Sequence, residues 1–132
     1  MRTAIDSSVL LDVLTDSAEF ADRSEAALRK AMSEGGLIVC ESVVAEIRPA
    51  LPQRRVAEFL ADWQLSYVPS SLDTALFAGS MFDKYLRRGG RRKRIVVDFL
   101  VGAHAVKHAD RLLARDRGYL RDYFSALKLM TP

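Results

Sequence analysis

The chain has 132 residues, of which 49% are apolar and 28% charged, and its net charge is +3. That balance belongs to a folded globular chain of about one domain and excludes a disordered or collagen-like one. No apolar run approaches the roughly 18 residues of a membrane span, and a single cysteine, Cys40, excludes an internal disulfide and a cysteine-based zinc site.

The elements follow in chain order. TAI (3–5) predicts a short strand ending at Asp6, after which Ser7 or Ser8 caps a helix through VLLDVL. Asp16 with Glu19 reads as a capping box, opening a helix with Ala27, Leu28, Ala31 and Met32 on one face. Gly35 and Gly36 stop it. LIVC (37–40) predicts a buried strand, and ESVVAEIR a helix halted by Pro49. Pro52 starts the next helix, with Val56, Phe59, Leu60 and Trp63 on one face. LSYV (65–68) predicts a strand, followed by a long helix over 72–86 whose inner face carries Leu76, Gly79, Phe82 and Leu86. Gly89 and Gly90 break that helix. DFLVGAHAVKH predicts a helix beginning at or near Asp98, and RLLA (111–114) and LKLM (127–130) predict the last strands. Short apolar strands alternating with helices point to an α/β fold, a mostly parallel sheet covered on both faces, in a single domain over 1–132. The opening MRTAIDSS carries Asp6 where a secretory signal has its apolar core, so a cytoplasmic protein with no membrane partner is expected.

Ligands of open α/β sheets bind outside the carboxyl ends of the strands. Asp6 follows the first strand directly, and Asp116 follows LLA by one residue. Glu46 and Asp98 lie on helices that follow apolar segments, and Asp98 is the lone acid in RIVVDFLVGAHAV. A buried carboxylate must be neutralised, paired or given a metal. Two carboxylates about 5 Å apart repel by roughly 3 kcal/mol at an effective dielectric near 20, so four brought together would need a cation. Oxygen-only ligation suits Mg²⁺ or Mn²⁺. Each acid also has an ordinary reading. Asp6 and Asp98 suit helix starts, Glu46 an exposed helix face, and Asp116 a surface pair with Arg115 or Arg117. Asp12, Asp22, Asp73, Asp83 and Asp122 read as ordinary helix or turn acids.

The positive charge is local. Residues 87–94, RRGGRRKR, hold six bases in eight positions, and outside them 14 bases face 17 acids. Arg87, Arg88, Arg91, Arg92, Lys93 and Arg94 therefore form either a patch for a phosphate backbone or a solvated loop. His104 and His108 lie about 120° and 80° around the helix from Asp98 and read as packing or surface residues. No nucleophile elbow, phosphate-binding glycine loop or dinucleotide fingerprint is present.

AIDSSVLLDVL, ESVVAEI, VVDFLVGAHA, LLARDRGYLRDYF and LKLM, in that order across nearly the whole chain, resemble the PIN domain family, specifically its VapC-type toxins. The resemblance implies a three-layer α/β/α sandwich and a metal-dependent endoribonuclease of a type II toxin–antitoxin pair. It implies that Asp6, Glu46, Asp98 and Asp116 hold one or two Mg²⁺ or Mn²⁺ ions and act in catalysis, with Ser7 in support. RNA as substrate, a cognate antitoxin and a homodimer are also implied. Ser8 departs from the Asn common in relatives. Two other readings stand beside this one. A catalytically silent RNA-binding or regulatory module would need the basic loop and not the acids. A receiver or phosphatase would want a further acid close to the first strand, where this chain has Ser7 and Ser8.

Overall fold

The inner strands are three residues each, apolar or small apart from Arg111, and are covered on both faces. The computed structural model describes residues 1–91, 95–115 and 118–132. Its strands are β1 (Thr3–Ile5), β2 (Leu37–Val39), β3 (Leu65–Tyr67), β4 (Arg111–Leu113) and β5 (Leu129–Met130). All pair in parallel, in the order β3-β2-β1-β4-β5. β1 and β2 are fully buried, whereas the edge strand β3 buries only Leu65. The register sets Ile5 opposite Leu113. The order reverses between β1 and β4, which makes their carboxyl ends the topological switch point of the sheet.

The helices are α1 (Ser7–Leu14), α2 (Ala21–Glu34), α3 (Glu41–Ile47), α4 (Gln53–Asp62), α5 (Leu72–Arg87), α6 (Ile95–His108) and α7 (Gly118–Tyr123), with a 3-10 turn at Arg48–Ala50. They cover both sides of the sheet in the expected α/β/α arrangement. The core joins Ile5, Ile38, Leu112 and Leu113 to Val9 and Leu10 of α1, Leu28 of α2, Ile47 of α3 and Phe99 of α6. Phe99 is the hub of an aromatic cluster. The rings of Phe82, Tyr85, Tyr123 and Phe124 lie 5.3–5.9 Å from it.

Two local expectations are corrected and a third is narrowed. Asp16 does not open α2. Its N–H bonds the Val13 carbonyl and its φ is 49°, so it closes the turn after α1, a left-handed position that Asp tolerates. α2 starts at Ala21 without a side-chain cap. The inner face of α5 is rotated from the predicted one: Leu76 is 63% exposed and Gly79 is also exposed. Small buried residues, Thr74 and Ala78, face inward there instead, and α5 packs on α6. α6 begins at Ile95, so Asp98 is its fourth residue and not its opening one. The predicted face of α4 is apolar as expected, yet Val56, Phe59, Leu60 and Trp63 are only partly covered.

Candidate active site at the carboxyl edge of the sheet

Asp6 is the last extended residue of the first strand segment, and its N–H donates to the Leu113 carbonyl (2.9 Å). That bond fixes it at the switch point. Its φ and ψ, −78° and 152°, are those of an N-cap. The cap is therefore the acid, not Ser7 or Ser8, which are already helical. Asp6 Oδ2 accepts from the Ser8 N–H (3.3 Å) and the Ser8 hydroxyl (2.5 Å). The residue is only 5% exposed. One carboxylate oxygen is thus held by the helix start, and among the described residues no hydrogen bond engages Oδ1.

Ser7 turns the other way. Its hydroxyl donates to Glu46 Oε1 (3.0 Å), tying the start of α1 to α3. Glu46 lies on the exposed side of α3, and this bond draws it toward the start of α1. Asp98 is half-buried in the first turn of α6, where the helix dipole favours an acid. α6 packs against both β1 and α3, the elements that carry Asp6 and Glu46. Asp116, Arg92, Lys93 and Arg94 lie outside the described residues. Among the described residues, no group of three or more His, Cys, Asp or Glu side chains stands close enough to hold a metal ion. The donor chemistry nonetheless fits a hard divalent cation: the carboxylates offer oxygen alone, and the buried one has a single oxygen committed.

The described arginines of the basic loop have neighbours. Arg87 pairs with Asp83 (3.1 Å), and the Arg88 guanidinium lies 5.3 Å from the centre of the Tyr123 ring. The Arg91 N–H donates to the Tyr85 hydroxyl (3.2 Å).

Behind the edge, His104 is 1% exposed and its Nε2 lies 2.7 Å from the Val68 carbonyl, to which it donates. Burial is the main reason its pKa lies below the ordinary value. His108 Nε2 meets the Thr74 hydroxyl at 3.0 Å. Both histidines pack as expected. Glu41 accepts the Ser70 N–H (2.8 Å). Burial opposes its ionisation, but donation from Ser70 outweighs that and lowers its pKa.

Sequence reasoning missed one pair. Asp12 is 2% exposed, accepts from the Ser24 hydroxyl (2.7 Å), and takes both Nε (3.1 Å) and Nη2 of Arg115. It is a buried carboxylate in a bidentate ion pair with a partly exposed arginine, not an ordinary helix acid. The signal was a single carboxylate inside the apolar run VLLDVL, the same kind of signal that singles out Asp98.

A family model described as PIN domain matches residues 3–124. No curated protein matches the chain. Among solved structures, VapBC2 from Rickettsia felis, bound to a DNA fragment from its promoter, superposes with a TM-score of 0.74 at 14% identity, covering 100% of this chain and 99% of that one. DNA-bound VapBC from Salmonella typhimurium gives 0.68 at 9% identity, covering 99% and 98%. VapC20 of Mycobacterium tuberculosis, a sarcin-ricin loop cleaving toxin, gives 0.61 at 13% identity, covering 96% and 98%. At such identities the likeness establishes a shared fold, while the family model, spanning nearly the whole sequence, places the chain in the PIN domain family.

Proposed function

We propose that this chain, acting as one unit over residues 1–132, is a metal-dependent endoribonuclease of the VapC toxin type. The observation that carries the reading is Asp6. It is a buried carboxylate at the switch point of a parallel sheet, with Oδ2 held by Ser8 and Oδ1 unengaged among the described residues. Such a group is oriented before any ligand arrives. PIN membership and the shared fold of the VapBC and VapC structures support the same reading.

Asp6, Glu46, Asp98 and Asp116 are the residues that would hold one or two Mg²⁺ or Mn²⁺ ions. Bound there, the ion would supply Lewis acidity, lowering the pKa of water and offsetting phosphoryl charge. The chain's own residues do the arranging. Ser8 fixes the Asp6 carboxylate, and Ser7 fixes Glu46. The apolar body of α6 is pinned by Phe99, and it would present Asp98 from the first turn of that helix. The 87–94 bases would attract the RNA backbone that the acids repel. A cognate antitoxin that blocks the site, and a homodimer, complete the proposal, with the cytoplasm as its setting. Among the described residues, no helix is long and apolar enough to cross a membrane.

The test is cleavage of a mixed RNA pool with Mg²⁺ or Mn²⁺, and then with chelator, beside Asp98→Asn. Metal-dependent cuts lost in a folded Asp98→Asn protein are expected. Full cleavage by that variant would sink the assignment of Asp98. No cleavage by folded, antitoxin-free parent would return the silent RNA-binding module.

A further inference from the structure

Asp12 and Arg115 do more than satisfy a buried charge. Asp12 lies four residues after Ser8, so the two side chains share one face of α1. Arg115 grips Asp12 with two nitrogens and lays its guanidinium 4.3 Å from the centre of the Phe20 ring. Its own backbone N–H reaches the Ser8 hydroxyl at 3.4 Å, and that hydroxyl donates to Asp6 Oδ2 at 2.5 Å. A continuous chain of bonds therefore runs from Asp12 through Arg115 and Ser8 to Asp6. It crosses the switch point, from the end of β4 to the start of α1. Arg115 also directly precedes Asp116 in the sequence.

We propose that Arg115 is a positioning residue for this site: clamped on Asp12 and stacked on Phe20, it holds the end of β4 against Ser8 and so sets the direction of the Asp6 carboxylate. The inference rests on the nuclease reading for its effect on rate. The geometry selects arginine for physical reasons. A guanidinium offers two parallel donors and a flat face, so it fixes direction as well as charge. A point charge in the same place would neutralise Asp12 without fixing the direction in which the Arg115 backbone meets Ser8. Displacements of about 1 Å at a catalytic group cost up to a hundredfold in rate.

Arg115→Lys separates the two roles, because it keeps a cation beside Asp12 and gives up the fork and the stack. The expected result is a folded protein with kcat reduced about tenfold to a hundredfold and KM within about twofold of the parent. Ser8 supplies a second readout that needs no turnover. Its amide is held by Asp6 Oδ2 (3.3 Å), so it should exchange with solvent faster in the variant, while the Leu28 amide of α2 stays as in the parent. Phe20→Leu removes the stacking face, leaves the ion pair, and should give the same changes more weakly. It replaces Arg115→Lys if that variant does not fold. Parental kcat with parental Ser8 exchange would overturn the proposal. A raised KM with unchanged kcat would overturn it too, assigning Arg115 to phosphate binding. If the parent cleaves no RNA, the nuclease reading fails, and Ser8 exchange alone decides whether the clamp holds Asp6.

Discussion

Asp6 divides its work between two oxygens, and the division can be separated by substitution. Asn is as good an N-cap as Asp, since its carbonyl oxygen accepts the same Ser8 bonds. Asp6→Asn should therefore melt close to the parent while losing RNA cleavage. Asp6→Ala should lose cleavage and also about 1 kcal/mol of stability, read by denaturant titration. A cleavage-competent, folded Asp6→Asn protein would mean that the residue is a cap and nothing more. His104 makes a different prediction. Its folded pKa lies below the ordinary 6.5, chiefly through burial, so the folded state resists protonation. Its contribution to stability is present above 6.5 and is lost as pH falls from there through the folded pKa. His104→Gln keeps a donor for the Val68 carbonyl and cannot titrate. Denaturant midpoints measured from pH 8 to 5 should fall less steeply in that variant. At this scale Asp6 was legible, because a strand ends there and the rule about sheet edges is general. The bond from Ser7 to Glu46 was not, since 39 residues separate them and only the packing of α1 on α3 brings them together.

Elements were read well where apolar period and length agreed. The three inner strands are short apolar runs bounded by turn residues or acids, and all three appear within a residue of their predicted limits. The inner face of α5 keeps Phe82 but not Leu76 or Gly79, because apolar residues surround this helix. Leu72 and Leu76 are 76% and 63% exposed, while Phe77, Met81 and Phe82 are partly covered. Period alone cannot choose between such faces. The choice falls to the partner helix, which packs where α5 offers Thr74 and Ala78. α6 has a close approach of its own. A Cβ on Gly102 would lie 2.7 Å from the Phe124 ring. Gly102→Val should therefore destabilise the fold by about 1–3 kcal/mol through overpacking. Denaturant titration would measure it, and unchanged stability would mean that Phe124 swings aside at no cost.

For the whole molecule, a parallel sheet was legible but its order was not. β1 and β4 are neighbours although more than a hundred residues separate them, and nothing local encodes that pairing. Their adjacency creates the switch point at which Asp6 sits. Charge distribution then decides how a polyanion approaches. Outside 87–94 the chain carries 14 bases against 17 acids, so under the proposed function the loop is the part expected to attract RNA. Within the loop the contributions should differ. Arg87 already pairs with Asp83 and Arg88 is held over Tyr123, so each must leave a neighbour before it can engage a phosphate. The salt dependence of binding counts the engaged charges, at about 0.7 per neutralised phosphate for single strands. Replacing Arg91, Arg92, Lys93 and Arg94 by Gln should lower the slope of log K against log salt by up to about 3. Replacing Arg87 and Arg88 should lower it by well under 1.4, the value for two fully engaged charges. Anisotropy titrations of a labelled RNA oligomer in chelator, over a range of salt, would separate the two sets. Equal slopes in all three proteins would show that the backbone follows another path and that the loop is a solvated connection.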